Sequence, residues 1–230
     1  MLRAFGLGLL AQSSLLLAGI FAAKVAVPKK VVGVLAGFGA GAMIAAVSFD
    51  LIGETVGLES WELALWMLIG VAVFLVGDAI VDKKFGSGGT GGAMGIVVGS
   101  VVDGVPESVI FGIQLATGLP VSASFLAAVM VSNVPQSIAP SADLVDAGWS
   151  LGRLTKLWGM VVLACGVAAL VGFVVAESLN DATGERMAAL AAGGLLAMLT
   201  NSLIPFAFDK GGQLAGIATA VGFCLSLFGS

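Results

Sequence analysis

The chain has no histidine. That excludes serine–histidine triads and every metal site built on imidazole. Charge is scarce too: 10% of the 230 residues are Asp, Glu, Lys or Arg, against 59% in the apolar class. A soluble domain of this length needs far more charge on its surface. The few basic residues form no cluster of the kind nucleic acid requires, so no nucleic-acid partner is expected. The net charge of −4 selects no partner either. Only two cysteines occur, Cys165 and Cys224, each inside an apolar block. They read as small buried hydrophobes, too few and too far apart for a zinc cluster. No glycine-rich stretch is followed by Lys-Ser or Lys-Thr, which removes phosphate-loop chemistry. No nucleophile–base pair stands in the apolar blocks, so an enzyme is not expected.

What the chain does have is long apolar runs. Several reach about 20 residues, which as a helix spans a hydrocarbon core of roughly 30 Å. Barrel strands would be shorter and alternating. The runs predict an all-α membrane protein with one transmembrane domain of eight helices, about 4–23, 31–53, 62–81, 94–117, 121–142, 157–176, 187–208 and 213–229. Arg3 and the small residues at Ala22 and Ala23 imitate a signal peptide, but the run Ala4–Ala23 is long for one and reads as a first membrane helix. The stretch DKKFGSGGTGGA (Asp82–Ala93) reads as a flexible linker between three helices and five.

Orientation follows from the basic residues. Odd-numbered connections hold Lys24, Lys29, Lys30, Lys83, Lys84, Arg153, Lys156 and Lys210; the other side holds Arg3 and Arg186. Cytoplasmic loops carry the excess of Lys and Arg, so both termini are expected outside the cytoplasm, in a plasma (inner) membrane. Trp61 and Trp66 then start helix three at the outer interface, and Trp149 and Trp158 flank the inner end of helix six. The run GVLAGFGAGAMIAA (Gly33–Ala46) places small residues at helical spacing, which permits close packing in lipid.

Two internal similarities organise the chain. VDGVPESVI (Val102–Ile110) aligns with VSNVPQSIA (Val131–Ala139). GAMIAAVSFDLIG (Gly41–Gly53) aligns with GGLLAMLTNSLIP (Gly193–Pro205), pairing helix two with helix seven. Helices one to three and six to eight are therefore expected to be repeats, inverted because each holds three helices. The arrangement expected is 3+2+3.

The chemistry lies in the two central helices. Asp103 and Glu107 are four residues apart, on one helix face, near mid-membrane. Carboxylates there cost at least a few kcal/mol each and face a cavity, a cation or a partner. No Lys or Arg lies in a central segment to pair with them. Pro106 between them cannot bond to the carbonyl of Val102, which frees another oxygen. Ser100 lies on the same face one turn away. Helix five repeats the design with Ser132 and Gln136 around Pro135, and with Asn133 beside them. A short turn near Gly118–Pro120 makes the two helices antiparallel neighbours. They are expected to present Asp103, Glu107, Ser132, Asn133 and Gln136 to one another. Two negative charges and several neutral oxygens suit one divalent cation. Further polar residues are candidate pathway groups: Asp50 and Glu54 at the outer end of helix two as an entry funnel, Asn201 and Ser202 in helix seven, and Asp78, Asp82, Asp143 and Asp146 at inner helix ends, as exit groups or as solvated termini.

DGVPES (Asp103–Ser108) and SNVPQS (Ser132–Ser137) resemble the paired motifs of the ZIP family of metal-ion transporters, typically HNxPEG followed by a related x-P-E-G or HExPHE pattern. Eight helices, outside termini and central prolines fit that family as well, and AAVSFDLIGE (Ala45–Glu54) is similar to its second helix. The resemblance implies inward transport of a divalent ion (Zn, Mn, Fe or similar) as substrate, with no prosthetic group. It implies a site on Asp103, Gly104, Glu107, Ser132, Asn133 and Gln136. It also implies motion of helices four and five against the rest. The chain departs from the family in its ligands: Asp103 stands at a histidine, Gly104 at an asparagine, and Gln136 at a carboxylate or histidine. Only Glu107 and the two prolines are retained. One site built of oxygen donors is expected rather than a two-metal centre. The remaining partners expected are the lipid bilayer and, as a candidate, a second copy of the chain in a homodimer. The rival readings are a proton or small-solute transporter on the same fold and a non-transporting structural or regulatory membrane protein.

Overall fold

Helix two and helix seven both lose their α-helical register midway, and that shared fault organises the molecule. A computed structural model describes residues 1–53, 55–85, 91–118, 121–178 and 181–228, with backbone alone at 81, 82, 84, 85, 91–98, 102 and 181–183. Among these residues the chain makes eight helical passages and no strand. They are α1 (Leu2–Ala22), α2 (Lys29–Ala45), α3 (Ser60–Phe85), α4 (Gly91–Thr117), α5 (Ala123–Asp146), α6 (Leu151–Glu177), α7 (Asp181–Met198) continued by α8 (Ile204–Gly211), and α9 (Gln213–Ser226). Five passages are long and apolar enough to cross a membrane: α1, α2 with its extension, α3, α6, and α7 with α8. On α3 and α6, Leu68, Val73, Val76, Leu163 and Val171 are exposed, as a lipid-facing surface requires.

All eight expected helices form, with shifted ends. Hydropathy marks where lipid ends, but helix hydrogen bonding runs on through polar residues. Thus α3 continues to Phe85, and α6 begins at Leu151 rather than 157, where Ser150 Oγ accepts from the Arg153 N–H at 3.4 Å. The expected linker Asp82–Ala93 is accordingly helical at both edges, and its centre, 86–90, lies outside the described residues. Turns fall where the backbone leaves the right-handed region: Gly148 (φ 83°) ends the α5–α6 connection and Gly212 (φ 58°) separates α8 from α9.

The π-helical stretches are Ala46–Leu51, after α2, and Leu199–Leu203, between α7 and α8. The first has no proline beside it, whereas the second runs into Pro205, which has no N–H for the Asn201 carbonyl. In each, a hydroxyl takes a carbonyl of the preceding turn: Ser48 donates to Ile44 O at 2.8 Å and Thr200 to Leu196 O at 2.9 Å. Such back-bonding loosens the helix ladder. Ser48 and Thr200 occupy aligned positions, as do the two π stretches.

The same step of 152 residues recurs in the packing. Gly70 lies against the Leu190 carbonyl and Gly222 against that of Phe38; Gly193 lies against the Met67 carbonyl and Gly41 against that of Thr219. Each of the four contact residues in one pair is 152 positions from its counterpart in the other. A Cβ at any of these glycines would strike backbone, so the close α3–α7 and α2–α9 crossings depend on them.

Between these pairs, α4 packs chiefly on α6, and α5 on α1 and α2, while α1 lies on α6. Phe111 of α4 and Phe125 of α5 stack with centroids 4.9 Å apart in the main core. Trp158 is not an interface anchor as expected. It lies two turns into α6, fully buried beside Gly19, and its Nε1–H donates to Ser141 Oγ at 2.8 Å. The expectation failed because helix six starts earlier than its apolar run. At one end of the bundle a cavity of about 200 Å³ gathers Lys29, Asp143, Asp146 and Lys210, so three connections rich in basic residues share a face. At the other end Arg186 pairs with Glu62.

Candidate functional site

The polar centre starts at Pro106, which lies within α4 without ending it. One residue on, Glu107 is fully buried. Its Oε2 accepts from Gln12 Nε2 of α1 at 2.9 Å. The Oε1 of Gln12 accepts in turn from Asn133 Nδ2 of α5 at 3.0 Å, and that amide also reaches Ala11 O at 3.3 Å. All three side chains are buried to within 1% of complete. Glu107 Oε1 and Asn133 Oδ1 have no hydrogen-bond partner, and neither has Gln136 Nε2. Two acceptor oxygens therefore lie buried without a protein donor, and a buried acceptor left so is costly.

The direct pairing expected between the two central helices is thus corrected in its geometry. α4 and α5 touch, but α1 carries the polar link between them, because each central helix has its larger interface elsewhere. Ser132 is buried, donates to Val129 O of its own turn at 2.9 Å, and lies against Gly39 of α2. Gln136 is half-buried. Gly104 has a physical reason: a Cβ there would stand 2.9 Å from Cys165 Sγ and 3.2 Å from Gln12 Oε1. A longer side chain at 104 has no room while Gln12 occupies that space.

Asp103 looks the other way. It is 7% exposed and accepts from Ser202 Oγ of the second π stretch at 3.3 Å. Asp78 of α3 lies within electrostatic reach of it and accepts from Asn201 Nδ2 at 3.1 Å. Asn201 and Ser202 are thus both tied to carboxylates, and Asp78 is more than a solvated helix end. Ser100 is buried one turn before Asp103. On the first π stretch, Asp50 accepts from Ser122 at 2.7 Å and Ser124 at 2.8 Å, both at the start of α5. Glu54 lies outside the described residues. Asp143 is exposed on the rim of the Lys29–Lys210 cavity.

Among the described residues no three carboxylates or thiols converge as a metal-binding group. Gln12 was not singled out from the sequence. Its signal was there: a lone amide in the middle of an apolar helix, which in lipid needs a partner. No protein-family model matches the sequence, and no curated protein matches it.

Proposed function

We propose that the chain carries a divalent metal cation across the bilayer, inward, through the polar centre around Glu107, on a ZIP-like bundle arranged as 3+2+3 helices with inverted outer repeats. The observation that carries this reading is Glu107. It is buried in the centre of the bundle, no Lys or Arg among the described residues pairs with it, and one of its oxygens has no donor. A membrane-buried carboxylate in that condition is normally offset by a cation or a proton. The neighbouring Asn133 oxygen, also unpaired, adds a neutral donor of the kind hard divalent ions accept. The repeat arrangement is supported by the 152-residue step, since helices two and seven are five passages apart and so cross in opposite directions.

Oxygen donors without imidazole or thiolate favour harder ions, so discrimination of zinc over manganese should be poor. In proteoliposomes offered Zn, Mn, Fe, Co, Cd or Mg singly, at least one should show saturable uptake. Uptake no greater than in empty liposomes for all six ions would overturn the reading. Proton carriage is the runner-up, favoured by the amide chain Glu107–Gln12–Asn133. Acid-driven proton entry with every divalent ion chelated would support it instead.

A further inference from the structure

Gln12 touches both halves of the centre. Its amide nitrogen faces a carboxylate and its amide oxygen faces an amide donor, at 2.9 and 3.0 Å. The arrangement gives Gln12 a partner at each end of its amide and leaves Glu107 Oε1 and Asn133 Oδ1 without one. A glutamine needs little rearrangement to reverse this. The terminal amide torsion is broad and two-fold, so rotating it exchanges nitrogen and oxygen in place. After such a turn Gln12 Oε1 points at Glu107, which is repulsive unless a cation lies between them. The turned nitrogen then meets Asn133, whose own amide must turn to present Oδ1. The first move directs an oxygen into the region beside Glu107, and the second keeps the Gln12 nitrogen hydrogen-bonded.

We infer that Gln12 is a ligand of the transported cation: without the ion it bridges Glu107 and Asn133 by hydrogen bonds, and with the ion it turns its oxygen onto it beside Glu107, while Asn133 Oδ1 accepts from its nitrogen. This rests on the cation reading above. It adds a contribution from α1 to a centre whose other members lie on α4 and α5. Gly104 leaves room for the Gln12 amide to lie and turn there, since a Cβ at 104 would stand 3.2 Å from Gln12 Oε1. It also gives both buried oxygens a partner: Glu107 Oε1 faces the ion, and Asn133 Oδ1 accepts from the turned Gln12 nitrogen.

The test is equilibrium Co²⁺ binding to the purified full chain in lipid nanodiscs, in a Cys165→Ala, Cys224→Ala background. Glu107→Gln should abolish saturable binding, and Gln12→Ala should weaken it by at least about tenfold. Gln12→Cys should give a thiolate-to-cobalt charge-transfer band that the background protein lacks. A residue that only positions Glu107 would weaken binding without producing that band. Where Gln12→Cys does not fold, Gln12→Glu replaces it, and tighter Co²⁺ binding than in the background protein is expected from the added charge. Binding that depends on Glu107 yet is unchanged in Gln12→Ala would overturn this inference and leave the cation reading standing. Absence of saturable Co²⁺ binding, or binding indifferent to Glu107→Gln, would remove the cation reading and this inference with it.

Discussion

Glu107 is held by a single donor, and that donor is neutral. Gln12 and Glu107 are mutual dependants: remove one, and the other is left as a buried polar group without its partner, at a cost of about 1–3 kcal/mol. Removing both leaves apolar groups facing one another, which is far cheaper. Gln12→Leu should therefore lower stability in reversible detergent unfolding, whereas Gln12→Leu with Glu107→Leu should be less destabilised than the sum of the two single changes. Strict additivity would mean that the 2.9 Å contact contributes nothing. At this level the sequence was partly legible. Asp103, Glu107 and Asn133 announce themselves as polar groups in apolar runs, and each is buried. Their partners did not follow from spacing. Helical periodicity places residues on a face but does not say which helix meets that face, so Asp103 was expected to meet helix five and instead meets Ser202 of the second π stretch. Trp158 was misplaced for a related reason: its meaning depends on where α6 begins, and Ser150 sets that start outside the apolar run.

The two π stretches place polar side chains at the helix crossings. Asp50 on the first is tied to Ser122 and Ser124 of α5, and Ser202 on the second to Asp103 of α4. Positions 50 and 202 are equivalent in the 152-residue step. Each π stretch thus contacts one of the two central helices through a polar side chain. If α4 and α5 move against α2 and α7 during transport, each tie must break in turn. The pair Asp50→Cys with Ser124→Cys, in a background without Cys165 and Cys224, should form a disulfide that stops transport, and reduction should restore it. Full transport by the oxidised protein would show that this contact stays fixed through the cycle. Nothing in the composition of Ala46–Leu51 marks a π turn, since it contains neither proline nor glycine. The alignment of the two segments was readable from sequence; the departure from α-helical register was not, because it comes from one hydroxyl competing for one carbonyl.

Over the whole molecule, apolar run length sufficed to find the eight passages, because in lipid a helix is the economical way to satisfy every backbone group. The repeat was visible as a faint similarity, and the glycines at 41, 70, 193 and 222 give it a physical basis, since only they admit the close crossings. The distribution of Lys and Arg predicts a direction for the bundle. Val56 is exposed on the connection before α3, and Ala147 is exposed on the opposite one, after α5. With an impermeant thiol reagent added to intact cells, Val56→Cys should be labelled and Ala147→Cys should not, again without the native cysteines; the reverse pattern would invert the topology.

Transport through a Glu107-centred site is the claim on which the rest depends, and manganese uptake into proteoliposomes tests it most directly. Wild-type protein should take up Mn²⁺ saturably, and Glu107→Gln, which keeps the shape and removes the charge, should reduce the initial rate to that of empty vesicles. Uptake by Glu107→Gln equal to the wild type, with both proteins reconstituted to the same density, would contradict the account.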